Sequence, residues 1–288
     1  MSSGLSFQWP WNPWAVIFLL LLCLLYILGL RSVRRRGIQI STLHITSFGC
    51  GILLAALLLL TPIETIGRTQ LFFIHMTQTV LLITVCTPMI MAGCTEELLR
   101  PLVEIPLVRN VVLTLIRPVV ASFLFNIDFL LWHTPRLFAL AQAHEMVYHL
   151  MMISIFFFSF LNWHPLIGSV QEGRHMSYPA QMMYTFFDGQ PVDIFAFVLV
   201  FTEVPIYSFA IPASLHLSAF ADQATGGAIL LIPGLVDLGV MTPLFFRWLR
   251  QIEDKTRQTD AKRQAEVEDE EWEWVEDDDG VEGTIDRA

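Results

Sequence analysis

Lysine is nearly missing from this sequence: 288 residues contain only Lys255 and Lys262, both near the C-terminus. A retinal Schiff base inside a helical bundle needs a buried lysine amine, so that chemistry is excluded. Charge of either sign is scarce, at 15% of residues, where a soluble domain carries about a quarter. Cysteine is sparse too. Cys23, Cys50, Cys86 and Cys94 lie in or beside apolar runs, and none forms a C-x-x-C pair. That argues against a disulfide framework and for thiols packed within helices. The formal net charge of −10 comes largely from one C-terminal run, "EVEDEEWEWVEDDDGVEGTID". The remainder is close to neutral, and nothing in it suggests nucleic acid as a partner.

What the chain has instead is apolar length. Hydrophobic residues make up 54% and the mean hydropathy is +0.56. Continuous apolar runs of about 17–25 residues read as transmembrane helices. Seven are expected, at 14–30, 43–62, 71–93, 111–131, 146–162, 181–203 and 226–248. No run alternates polar and apolar residues with period two, so the expected class is all-α, a polytopic protein of the lipid bilayer. Residues 1–13 form a short leading segment, 14–250 the seven-helix domain, and 251–288 an acidic tail expected to lack regular structure.

Charge sets the expected orientation. Arg31, Arg34, Arg35 and Arg36 follow the first run and nothing basic precedes it. This order is opposite to that of a cleaved signal peptide. The positive-inside rule then places the N-terminus outside and the C-terminus in the cytoplasm. Loop 94–110, with Arg100 and Arg109, and the basic segment "RWLRQIEDKTRQ" agree with an odd number of spans.

On this topology the histidines sort unevenly. His75, His133, His144, His149 and His216 share the outer side, whereas His44, His164 and His175 fall on the inner side. Glu145 and His149 are four residues apart and share a helix face. A carboxylate beside an imidazole can fix its tautomer, a usual support for a metal ligand. His75 and Gln78 share a face as well, with Met76 about 100° around the helix. Imidazole accepts copper or zinc, and thioether sulfur favours Cu(I). Each histidine could equally hydrogen-bond headgroups or water, and Met76 could simply pack. Asp128, Asp188, Asp193 and Asp237 lie inside apolar runs, where carboxylates suggest function or hydrogen bonds between helices. Pro191 is expected to kink or open the sixth span.

Several segments, in order, resemble the multi-spanning CtaG family of cytochrome c oxidase assembly factors. "HMTQTVLLITVCTPMIMAG" (75–93) is similar to that family's His-Met-x-Gln opening with its following Pro and Gly. "LWHTPRLFALA" is similar to its Trp-His-x-Pro element, and "HEMVYHLMM" with "NWHPLIG" to its next helix. "MSYPAQMMY" matches a Ser-Tyr opening, and "LSAFADQATGGAILLIPGL" (217–235) carries the most specific pattern. The resemblance covers about 70–250. Thr79 stands where it leads one to expect a second histidine, four residues after the first.

The resemblance implies a role in maturing a haem-copper oxidase in the bacterial cytoplasmic (inner) membrane. Copper handled at the outer face would be the cargo and an oxidase subunit the partner. The candidate metal ligands it implies are His75, Met76, His133, His144, His149 and Asp222, with no bond made or broken in a substrate. Two other readings stay open: a proton- or ion-coupled transporter using Asp188, Asp193 and Asp237, and a metal-free assembly scaffold.

Overall fold

In a computed structural model the chain is described at residues 4, 5, 7–98, 106–168 and 176–279. Arg100 and His175 lie outside these residues. Among them the secondary structure is helical, without strands. Two compact units divide the chain at residue 241. The first holds helices α1 (Pro13–Arg35), α2 (Thr42–Leu60), α3 (Pro62–Thr69), α4 (Phe72–Leu81) and α5 (Thr87–Gly93). It continues through α6 (Pro106–Leu115), α7 (Pro118–Trp132), α8 (Pro135–Ala143), α9 (Glu145–Ile167), α10 (Tyr178–Phe201) and α11 (Ala219–Leu230). Helix α12 (Ile232–Asp279) begins in the first unit and runs on as the second.

Among the described residues six helical stretches are long and apolar enough to cross a membrane, and a bent pair, counted as one span, brings the number to seven. That pair corrects the expected fourth run, 111–131, which is not one helix. It breaks between Leu115 and Pro118 with a bend of 73°. Pro118 lacks an amide hydrogen and crowds the residue before it, so Arg117 leaves helical geometry at ψ 132°. The connections are also more ordered than expected. The short loop at 63–70 is mostly α3, and 132–145 contains α8. The last run starts at Ala219 rather than 226 and is interrupted at Leu231, just ahead of Pro233. Helix α10, by contrast, is unbroken through Pro191.

The unforeseen irregularity is in the third span, where residues Leu82–Cys86 form a π turn between α4 and α5. Pro88 cannot donate to the carbonyl one turn back, and widening the turn resolves the mismatch. The loosened carbonyls find other donors. Thr87 gives both its backbone N–H and its hydroxyl to Leu82, the latter at 3.0 Å. The Trp163 indole donates to the Ile83 carbonyl at 2.6 Å. Burial without such partners would cost roughly 1–3 kcal/mol for each group.

This third span is the centre of the bundle: 56% of it is buried, against 22% for α1. Helix α2 packs on α5, α9 on α5 and α7, and α11 on both α4 and α10. Two adjacent glycines make the last pair of contacts possible. A Cβ on Gly226 would lie 2.6 Å from the Phe72 ring of α4, and one on Gly227 2.9 Å from the Ala196 carbonyl of α10. Small residues allow helix backbones to approach this closely. Outward faces of the peripheral helices carry large apolar side chains, among them Leu53, Val119, Phe123 and Phe187, as contact with lipid requires.

In the second unit the acidic segment, expected to be irregular, continues as helix to Asp279. Every side chain from Leu249 to Val267 is exposed. An Arg257–Glu253 pair one turn apart, at 2.9 Å, is the kind of contact such a solvated helix makes.

Candidate metal centre

Several helices of the first unit bring polar side chains together at one end of the bundle. His75 sits in the first turn of α4 and His133 directly after α7; both are almost fully buried. Their Nε2 atoms face each other at 3.2 Å. Each ring's other nitrogen is engaged. His133 Nδ1 lies 2.7 Å from the Phe129 carbonyl, which can only accept, so Nδ1 carries the hydrogen. This carbonyl belongs to the last turn of α7 and also accepts the His133 backbone N–H at 3.2 Å.

The His75 tautomer follows from a longer chain of bonds. The Gln78 amide nitrogen donates to the Leu58 carbonyl at 2.9 Å, which leaves Gln78 Oε1 as an acceptor. The Tyr148 hydroxyl donates its one hydrogen to that oxygen at 3.1 Å. Tyr148 Oη must then accept from His75 Nδ1, 2.8 Å away. Both Nε2 atoms are therefore left with lone pairs, aimed at one another. Burial pushes the His133 imidazole down to about 4, so at neutral pH it is uncharged. Facing lone pairs repel unless a proton or a metal cation lies between them. For metal–nitrogen bonds of about 2.0–2.1 Å, a 3.2 Å separation subtends about 100–105° at the metal, close to a tetrahedral edge.

Aromatic rings wall this pair. Phe138 meets His75 edge-on at 5.0 Å, and Phe129 stacks on His133 at 4.2 Å. Tyr207 stacks on Phe72 and donates from its hydroxyl to the His133 carbonyl at 2.5 Å. The connection between α10 and α11 thereby closes over the histidines.

Four other sequence candidates are not part of this pair. Met76 is buried in the α4–α11 contact, its Cγ 3.2 Å from where a Gly226 Cβ would stand. His144 is exposed and stands at the N-cap of α9. His149 is buried, but its Nε2 faces Glu64 at 3.4 Å and Glu145 at 3.7 Å. Asp222 spends both carboxylate oxygens on α4, accepting from the backbone N–H of Phe72 and Phe73 at 2.9 and 3.0 Å. The Leu71 N-cap supplies no side-chain acceptor of its own, so the cap comes from another helix. Gln223 beside it accepts from Ile206 N–H and donates to the Leu199 carbonyl. The "ADQATGG" segment is thus a clamp holding α4, α10 and the covering loop in place.

Three residues of this end escaped the sequence reading: Tyr148, Tyr207 and Glu64. Glu64 had a signal, being a carboxylate in the apolar stretch "TPIETIG" between two spans. The tyrosines had none, because an aromatic residue in an apolar run reads as packing. Thr79, found in place of an expected histidine, turns its hydroxyl back to the His75 carbonyl at 2.9 Å. The second imidazole comes from α7 instead.

A second polar group lies farther along the bundle. Asp188 accepts from Asn162 at 2.6 Å and from Asn126 at 3.1 Å, and Tyr184 donates to Asn162 Oδ1 at 2.8 Å. Asp193 and Asp237 approach the same turn around Gly189 and line a small cavity with Asp188. Asp128 accepts from Trp132 and Ser154 and joins α7 to α9.

A polytopic helical membrane protein with an oriented, buried histidine pair is the class that fold and site define. The sequence model of one family, described as cytochrome c oxidase caa3 assembly factor (Caa3_CtaG), matches residues 24–251. The chain belongs to this family of caa3 oxidase assembly factors. The match begins inside α1, so it reaches farther toward the N-terminus than the motifs from residue 70 onward. Comparison with curated proteins and with solved structures gave no match.

Proposed function

We propose that this assembly factor carries copper to the caa3-type oxidase, holding the ion between His75 and His133 at the outer face of the membrane. The observation that carries this reading is the pair of Nε2 lone pairs converging at 3.2 Å, each tautomer fixed by the bond on its Nδ1. A ligand imidazole whose second nitrogen donates to a carbonyl or another fixed acceptor is the usual arrangement in metal sites. Imidazole alone accepts copper or zinc. Copper is favoured because the family serves an oxidase and because a carrier's cargo must match its client.

Two nitrogens do not saturate a copper ion. The remaining positions would be filled by a donor on the way in and by the oxidase subunit on the way out, so exchange needs no bond-making chemistry by this chain. The aromatic walls would exclude water from the ion while it is held. The orientation rests on the arginines after α1, with the histidine end opposite to them.

The test is copper retention by the purified full chain. Loading with Cu(I) under reducing conditions should give one ion per chain in the unmodified protein. His75→Ala combined with His133→Ala should abolish it, and membranes from cells carrying that variant should lack assembled caa3 oxidase. Full copper occupancy in the double variant would overturn the reading. Oxidase assembly surviving the loss of copper would leave a metal-free scaffold as the function.

A further inference from the structure

The same end of the bundle holds a second set of donors. Glu64 on α3 and His149 on α9 are buried, 1% and 0% exposed, whereas Glu145 at the start of α9 is 42% exposed. His149 Nε2 stands 3.4 Å from one Glu64 oxygen and 3.7 Å from one Glu145 oxygen. One donor atom from each of the three lies within 4.8 Å of the others.

These gaps are long for hydrogen bonds between charged groups, which run at about 2.7–2.9 Å. Among the described residues neither ring nitrogen of His149 has a hydrogen-bond partner, and neither does Glu64 Oε1. The other Glu64 oxygen receives only the Thr65 hydroxyl, at 3.5 Å. A buried imidazole and a buried carboxylate oxygen turned toward each other, with neither satisfied, is a costly arrangement in an apolar bundle. A cation between them removes the cost. Nitrogen and oxygen atoms bound to one ion at about 2.0–2.2 Å stand about 3.4 Å apart at a tetrahedral angle.

We propose that Glu64, Glu145 and His149 form a site for a divalent cation of the zinc class, distinct from the His75–His133 pair. The two sites face different ways because Tyr148 and His149 are consecutive on α9, about 100° apart around the helix. Tyr148 serves His75, and His149 serves the two glutamates. One imidazole and two carboxylates with no sulfur suit Zn²⁺ and disfavour Cu(I). Glu145 forms an accessible lip through which an ion reaches the buried pair. Arg68, one turn after Glu64, is directed to the Gln142 carbonyl at 3.0 Å. A bound ion would fasten α3 to the first turn of α9, next to the tyrosine that orients His75. The site stands whether or not the pair carries copper.

The test uses the full chain in detergent, stripped with a chelator and titrated with Zn²⁺ against a competing dye. One Zn²⁺ per chain is expected. Glu64→Gln and His149→Gln should each weaken it at least tenfold, and Glu145→Gln should weaken it less. His75→Ala with His133→Ala should leave Zn²⁺ binding intact, even if it removes Cu(I). Co²⁺ in place of Zn²⁺ should give visible absorption bands stronger than those of the hydrated ion. Those bands should fade in the Glu145→Gln variant, which changes an accessible residue and keeps the test valid if the buried variants fail to fold. Zn²⁺ affinity unchanged by Glu64→Gln, His149→Gln and Glu145→Gln would overturn the proposal. So would an absence of Zn²⁺ binding in the unmodified chain.

Discussion

Among the described residues, two of the polar groups within this apolar bundle are satisfied in opposite ways. Around Asp188 the donors are spent inside the network: two asparagine amides fill the carboxylate and Tyr184 fills Asn162, with Asn126 Oδ1 alone of these groups left without a donor among the described residues. Around His75 and His133 they are arranged so that two lone pairs remain over, both pointing at one place. Networks whose donors are spent inward hold helices together. An open one with a fixed direction is a binding site. The difference is in where each last hydrogen goes.

Removing the open end should have the largest effect. His75→Ala with His133→Ala is expected to abolish Cu(I) retention, measured by metal analysis after gel filtration, while Asp188→Asn leaves it unchanged. Equal copper loss in both variants would erase the distinction. Asp222→Ala comes next, through the fold rather than the metal. It orphans the buried N–H of Phe72, at roughly 1–3 kcal/mol, and the half-buried N–H of Phe73, and should lower the thermal midpoint clearly. Asp222→Asn, which keeps one acceptor, should recover part of that loss.

Tyr148→Phe is the finer probe. The ring stays and the hydroxyl goes, so His75 loses the acceptor that sets its tautomer. Losing such a support typically lowers metal affinity about 10–100-fold, and a competition titration with a Cu(I) chelator would read it. An affinity within twofold of the unmodified chain would mean that the tautomer argument is wrong. Asp188→Asn should cost stability of roughly 1–3 kcal/mol, because one of two amide donors meets another donor. Proton or ion flux in proteoliposomes that disappears with this variant would instead give the carboxylates a transport role. Trp163→Phe comes last: it orphans the Ile83 carbonyl alone, at the lower end of roughly 1–3 kcal/mol, seen as a small shift in thermal unfolding with copper binding unchanged.

Much of the architecture was legible because lipid imposes it. Length and hydropathy are local quantities, so the runs that became α1, α2 and α9 could be read directly, and the common depth of His75, His133 and His149 followed from counting spans. Prolines were read less well. Pro118 breaks the fourth run and Pro88 widens the third, but Pro191 lies within unbroken α10. Whether a proline interrupts a helix depends on who accepts the freed carbonyls, and those partners come from elsewhere in the chain. The Trp163 indole at Ile83 is one such partner.

The candidate ligands divide along the same line. The sequence by itself determined that His75, Met76, His133, His144, His149 and Asp222 lie toward one end, because membrane depth is a one-dimensional property of the chain. Tertiary structure decided which of them meet. Rotation about each helix axis turns Met76 into the α11 contact, gives Asp222 to the N-terminus of α4, and separates His149 from the pair only one residue after Tyr148. Each outcome depends on an angle around a helix and on the neighbour found at that angle. Neither is encoded in spacing along a single span.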